Sequence, residues 1–176
     1  MCRFVTATVP AEADFAALEA IAQRHGRRLQ PMSNPSIERQ IGPGLRYCLT
    51  TPGHCDCEEP LGRRRRARVA DPAEAAQRLR RKGWSEAKIE RALAQRQAPR
   101  ESGAGSKSRP SAPWRAFIAD MLSAAGAARF GLLLHYYHAG LDADIALAGR
   151  ESLPLSALTI ELLEDLREDV LYEFRR

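Results

Sequence analysis

Hydrophobic and polar positions follow two different periods along this chain, and the places where the period switches mark its elements. Cys2 to Val9 is short and rich in β-branched and aromatic residues (Phe4, Val5, Thr6, Thr8, Val9), which predicts a strand that Pro10 ends. From about Ala11 to His25 the period becomes helical: Phe15, Leu18, Ile21 and Ala22 share one face, and Gly26 supplies a stop. Residues 29–33 fit a short strand limited by Asn34-Pro35. Arg46 to Thr51 fits a better one, introduced by the turn Gly42-Pro43-Gly44. Further on, Trp114, Phe117, Ile118, Met121 and Leu122 fall at helical spacing ahead of Gly126. Arg129 to Tyr137 is apolar on both faces until His135, the pattern of a central strand. Leu162, Leu163, Leu166, Val170 and Phe174 then read as the buried stripe of a last helix, from about Thr159 to the end. Glu161, Glu164, Asp165, Glu168 and Asp169 stay outside it.

The middle of the chain has its own pattern. Asp71 caps a helix predicted from Pro72 to Lys82 and stopped by Gly83, and Ser85 caps a second from Glu86 to about Gln97. Leu79, Trp84, Ile89 and Leu93 suffice to fasten these two helices together. Arg100 to Pro113 is rich in Gly, Ser and Pro and reads as a linker. The resulting order, β-α-(β)-β-insertion-α-β-α, predicts an α+β protein. Its core resembles a ferredoxin-like split βαβ with an extra C-terminal helix and an inserted helical hairpin. Residues 1–60 and 113–176 form the two halves of the core. Residues 61–112 form the insertion, with the hairpin at 72–97.

Composition adds three points. The chain has 176 residues, 44% of them apolar, which suits an ordinary globular core. No apolar run approaches the roughly 18 residues of a membrane helix, and Arg3 is followed by Pro10, Glu12 and Asp14 rather than a secretory h-region. The expected location is the cytoplasm, where thiols stay reduced. The net charge of +5 is unevenly placed, for residues 61–110 carry 15 Lys/Arg against 5 Asp/Glu and the remainder is net acidic. A basic middle between acidic flanks has two candidate partners: a polyanion, or the protein's own core.

Chemistry concentrates in Cys48-Leu49-Thr50-Thr51-Pro52-Gly53-His54-Cys55-Asp56-Cys57. Zinc takes four tetrahedral N/S ligands, with thiolates the best donors at neutral pH. An extended backbone points Cys55 and Cys57 the same way. A two-residue reversal at Pro52-Gly53 would set Cys48 opposite Cys57. The fourth ligand is then Cys2, on a neighbouring strand, or His54. The spacing is not that of a two-knuckle zinc site, and the competing reading makes Cys2 and Cys48 small core residues, with Cys55 and Cys57 as loop thiols. The same residues also fit a reactive thiol, or a disulfide between Cys48 and Cys57.

An enzyme is less well supported. Met1-Cys2-Arg3-Phe4 resembles the start of class II glutamine amidotransferases, where methionine removal exposes a nucleophilic cysteine. The resemblance stops at those four residues, and the chain lacks the glycine- and asparagine-bearing motifs of that family's oxyanion hole. His54-Cys55-Asp56 holds the residue types of a nucleophilic triad, but sequence neighbours have poor geometry for one. His135 and His138 bracket Tyr136-Tyr137 at the end of the central strand.

The basic stretch suggests a binding function. Arg63, Arg64, Arg65 and Arg66 cannot enter a core, and arginine forks match phosphate. With Arg81 and Lys88 they form a candidate nucleic-acid surface without base-reading side chains. Leu79 to Ile89 is similar to the helical repeats of RecX-type recombinase regulators, and the pattern occurs once. The expected function is therefore a non-enzymatic binding protein that contacts nucleic acid through its basic insertion. The alternative is a small zinc- or thiol-dependent protein built on residues 48–57, with Cys48, Cys55, Cys57 and Cys2 as ligands. A third possibility for the insertion is docking on the acidic C-terminal helix.

Overall fold

The computed structural model describes residues 2–65, 73, 76–77, 80, 84–91, 93, 110–124, 126–137 and 140–176. It is a mixed α+β fold with one six-stranded sheet. In chain order the elements are β1 (Cys2–Pro10), α1 (Phe15–Arg24), β2 (Gln30–Pro31), α2 (Pro35–Ile41), β3 (Leu45–Leu49), α3 (Ala112–Ser123), β4 (Arg129–Tyr137), β5 (Gly149–Pro154), α4 (Ile160–Asp165) and β6 (Val170–Arg175). The strand order is β2-β3-β1-β4-β6-β5. β1 pairs antiparallel with β3 and with β4, so β3 and β4 run parallel on either side of it. β2 is antiparallel to β3, which makes it parallel to β1 with β3 between them. β6 is antiparallel to β4, and β5 adds a parallel edge.

Helices α1, α2 and α4 start where a side chain satisfies free amides, while α3 starts with proline in its first turn and no side-chain cap. Asp14 accepts from Ala17 N–H at 3.2 Å, Asn34 from Ser36 and Ile37 N–H, and Thr159 from Leu162 N–H at 3.1 Å. The period-2 alternation of the strands then separates two cores. On one face Val5, Ala7, Val9, Leu132, Leu134 and Phe174 pack beneath α1 and α3, whose predicted stripes are buried (Leu18, Ile21, Ala22; Trp114, Phe117, Ile118, Met121, Leu122) except for Phe15, which is half-buried. On the other face Tyr47, Leu133, Tyr137 and Leu171 pack against Ile37 and Ile41 of α2 and against Ile145. Where β1 and β4 cross, Gly131 lies opposite Thr8, and a Cβ there would fall 2.1 Å from Thr8 Oγ1.

The C-terminal region departs from the sequence expectation. The helix expected from Thr159 to the end stops at Asp165, and Val170–Arg175 is strand β6. Val170, Leu171, Tyr172, Glu173 and Phe174 are all buried, so no alternation marks the strand, and the Leu/Val spacing imitates a helix. Glu173 is tolerated inside because Arg150 of β5 forks onto it, at 2.6 and 2.8 Å. Strand β5 was not expected, since its residues are mostly polar. Helix α2 was not expected either. Of the insertion, residues 63–65 and 86–91 are helical, the latter following Ser85, whose carbonyl accepts from Lys88 and Ile89 N–H. Residues 73, 76–77, 80 and 93 are helical as well, while 72, 74–75, 78–79, 81–83, 92 and 94–97 of the predicted hairpin (Arg81 among them), 100–109 of the linker, and Arg66 lie outside the described residues. Among the described residues no helix is long and apolar enough to cross a membrane.

Candidate metal centre

The site is built where the chain after β3 returns to the start of β1. Residues 52–54 form a bend, and the next three residues run beside Arg3: Asp56 N–H donates to Arg3 C=O at 2.8 Å, and Arg3 N–H donates to Cys57 Sγ at 3.3 Å. The Arg3 side chain is 0% exposed, an unusual burial for a guanidinium. It donates to the carbonyls of Asp56 (3.2 and 2.7 Å), Glu59 (2.6 Å) and Leu61 (2.6 Å), so one side chain fastens the whole 56–61 segment to β1. Burial lowers the guanidinium pKa, and Tyr136, Asp56 and Cys57 counter that effect.

A second set of contacts fixes the same segment from its other side. The buried Asp56 carboxylate accepts from Val5 N–H at 2.8 Å and from the Thr51 hydroxyl, with Arg27 Nη1 3.8 Å from its other oxygen. Glu59 accepts from the Trp114 indole N–H at 2.6 Å and pairs with Arg27 at 2.9 Å, while the Arg27 guanidinium lies 3.4 Å above the Trp114 ring. Burial pushes the Asp56 pKa up despite its hydrogen bonds from Thr51 and Val5.

This scaffold brings the Sγ atoms of Cys2, Cys55 and Cys57 within 4.8 Å of one another. Four sulfurs about 2.3 Å from a tetrahedral zinc stand roughly 3.8 Å apart, so closure by about an ångström would seat an ion. Cys2 and Cys55 are half-buried and Cys57 is exposed. Hydrogen bonds from the Cys57 backbone N–H and from the Cys57 thiol hold the Cys55 thiol below its ordinary range. Burial pushes the Cys57 thiol up, against the hydrogen bond it accepts from Arg3. Three thiols this close make a nucleophile with neighbours, or a ligand set for a soft ion.

Cys48, expected as the first ligand, is not part of this group. It pairs with Ala7 inside the main core, fully buried, with its pKa pushed up to about 12 by burial. The expected hairpin fails because Pro52-Gly53 starts a bend and not a two-residue reversal. Cys57 thus reaches Arg3, four residues and roughly 13 Å along β1 from Ala7. That separation also rules out a Cys48–Cys57 disulfide, and all four cysteines are free. His54 is exposed and does not join the thiol group. Cys2, the nucleophile of an amidotransferase-like start, lies with the other two thiols. The supporting residues Arg3, Arg27, Glu59 and Trp114 were not foreseen, because no spacing rule marks a strand arginine as buried.

The candidate nucleic-acid residues are placed differently. Arg63 and Arg64 both pair with the buried Glu164 of α4, Arg64 at 3.0 Å, and Arg65 Nε donates to Asp165 C=O at 3.0 Å. Ser111 donates to the same Glu164 at 2.8 Å. Burial would raise the Glu164 pKa, but the bonds from Ser111 and Arg63 bring it below the usual value. Lys88 lies over the Trp84 ring, 4.3 Å from its centroid. Elsewhere His135 Nδ1 meets Asp169, the only non-glycine residue with positive φ among those described. No protein-family model, no curated protein and no solved structure matches the chain.

Proposed function

We propose that this is a metal-binding protein whose centre is the thiol group Cys2, Cys55 and Cys57. The observation that carries the reading is the mutual approach of these sulfurs within 4.8 Å, in a segment held by a buried arginine. Ligands fixed in advance by outer contacts are the usual condition for tight metal sites. Zinc, the ion of the alternative reading of the sequence, would find three sulfurs and take its fourth ligand from solvent or from a partner. Such a centre handles an ion or exchanges a ligand, in contrast to a closed structural site.

The order β2-β3-β1-β4 supports a ferredoxin-like core that β6 and β5 extend at one edge. Nucleic-acid binding through the basic stretch is a weaker reading. Arg63 and Arg64 spend part of their charge on Glu164, the intramolecular contact that was the competing expectation for this stretch.

Elemental mass spectrometry on protein purified without a polyhistidine tag tests the proposal. About one equivalent of a thiophilic metal should be present or taken up on titration. Cys57→Ser should lose it, and Cys48→Ala should keep it. A folded protein that takes up no stoichiometric zinc or other soft ion would refute the reading.

A further inference from the structure

The segment that carries the thiols also carries three carboxylates, Asp56, Glu58 and Glu59, and an imidazole, His54, and it separates these donors by chemical type. The Asp56 carboxylate is turned to Val5 N–H and the Thr51 hydroxyl, and Glu59 to the Trp114 indole and Arg27. Among the described residues, no carboxylate or imidazole lies with the three sulfurs. The ligand set is therefore sulfur alone, and it numbers three. Zinc is completed by four ligands, and hard divalent ions want oxygen. A monovalent copper ion prefers soft thiolates and is satisfied by three of them. The Arg3 guanidinium, buried on the carbonyls of Asp56, Glu59 and Leu61 and in electrostatic attraction to Cys57, offsets part of the negative charge that three thiolates around a monovalent ion would leave.

We infer that the preferred occupant of this centre is monovalent copper, held three-coordinate by Cys2, Cys55 and Cys57. This rests on the metal-binding reading and narrows it to one ion. Three roles follow from the placement. Cys55 and Cys57 form the approach from solvent, since Cys57 is exposed. Cys2, at the first position of β1, closes the triangle and distinguishes a three-sulfur centre from a two-sulfur one. The bond of Cys57 Sγ to Arg3 N–H fixes the spacing of the triangle to the sheet.

The test is a competition under anaerobic, reducing conditions. The full-length protein is titrated with monovalent copper against a chromogenic copper chelator, with zinc alone, and with both ions together. Bound copper is then examined by X-ray absorption. The expected result is one copper per chain, three sulfur neighbours with no nitrogen or oxygen, and retention of copper over equimolar zinc. Cys2→Ser should weaken copper binding by at least about 100-fold, the upper end of what loss of a mere outer-shell contact costs. Cys48→Ala should leave stoichiometry unchanged and serves as the folding control. Zinc bound in preference to copper would overturn this inference and leave the metal-binding reading standing. Copper held equally well by Cys2→Ser, through two sulfurs, would also overturn it. Uptake of neither ion by folded protein would overturn both.

Discussion

Replacing Arg3 by methionine gives the most direct measure of how the thiol segment is held. Methionine matches the length and flexibility of the aliphatic stem and removes the guanidinium. Four hydrogen bonds from a charged donor are lost, and the carbonyls of Asp56, Glu59 and Leu61 lose a buried partner. Each bond to a charged donor contributes about 1.5–3 kcal/mol net, and a buried carbonyl left without its partner costs about 1–3 kcal/mol. Removing the buried charge recovers several kcal/mol of its desolvation, which offsets part of that sum. The expected loss is therefore about 3–5 kcal/mol in denaturant unfolding, and it should be felt locally first. All three exposed or half-buried thiols should react faster with a disulfide reagent below the unfolding transition, while Cys48 stays protected. Arg3→Lys keeps the charge but cannot fork to three carbonyls, so it should fall between the two. A loss under about 1 kcal/mol with unchanged thiol reactivity would show that the segment is held by other contacts, and the account of the site would fail.

Trp114→Phe should cost about 1–3 kcal/mol by calorimetry, chiefly because the buried Glu59 loses its indole donor; no change would mean that the indole bond contributes nothing to the fold. Gly131→Ala should destabilise by about 1–3 kcal/mol through overpacking on Thr8. Thr8→Ala should recover most of that loss in the double mutant, and strict additivity would refute the clash. Glu164 and Glu173 both titrate below the ordinary value of 4.5, so each stabilises the fold above that pH. That stability is lost as the pH falls from 4.5 through the folded-state values, and Glu164→Gln should flatten this part of the acid-unfolding curve. An unchanged curve would mean that the pairing with Arg63 and Arg64 contributes nothing.

The sequence was most legible where burial is one-sided. Stripes such as Trp114, Phe117, Ile118, Met121, Leu122 leave no second interpretation, and β4 was bounded at Arg129 and Tyr137 as observed. Legibility failed where packing is two-sided or minimal. Strand β6 has no alternation to read, and β5 is a polar edge that exists because β6 lies beside it. Asn34-Pro35 was read as the end of a strand, although a side-chain cap followed by proline at the first turn is also a helix start, and α2 begins there. At the site, Cys55, Cys57 and Cys2 were identified from residue type. Their correct grouping depended on the path of the 56–61 segment past Arg3, which only tertiary hydrogen bonds determine.

The Glu164 carboxylate has a topological consequence. Arg63 reaches it from the chain leaving the core and Ser111 from the chain returning, and both contact the same oxygen, Oε1. The two stems of the insertion are thus tied at one point, so whatever lies between them is a closed side branch of the core. Lengthening such a branch costs little, about 0.6 kcal/mol for each doubling of its length. The core should accordingly accept large changes in the branch, including its replacement by a short Gly/Ser bridge from 65 to 110, without any strand or helix changing its neighbours. The group of three thiols, Cys2, Cys55 and Cys57, belongs wholly to the part of the chain that would remain.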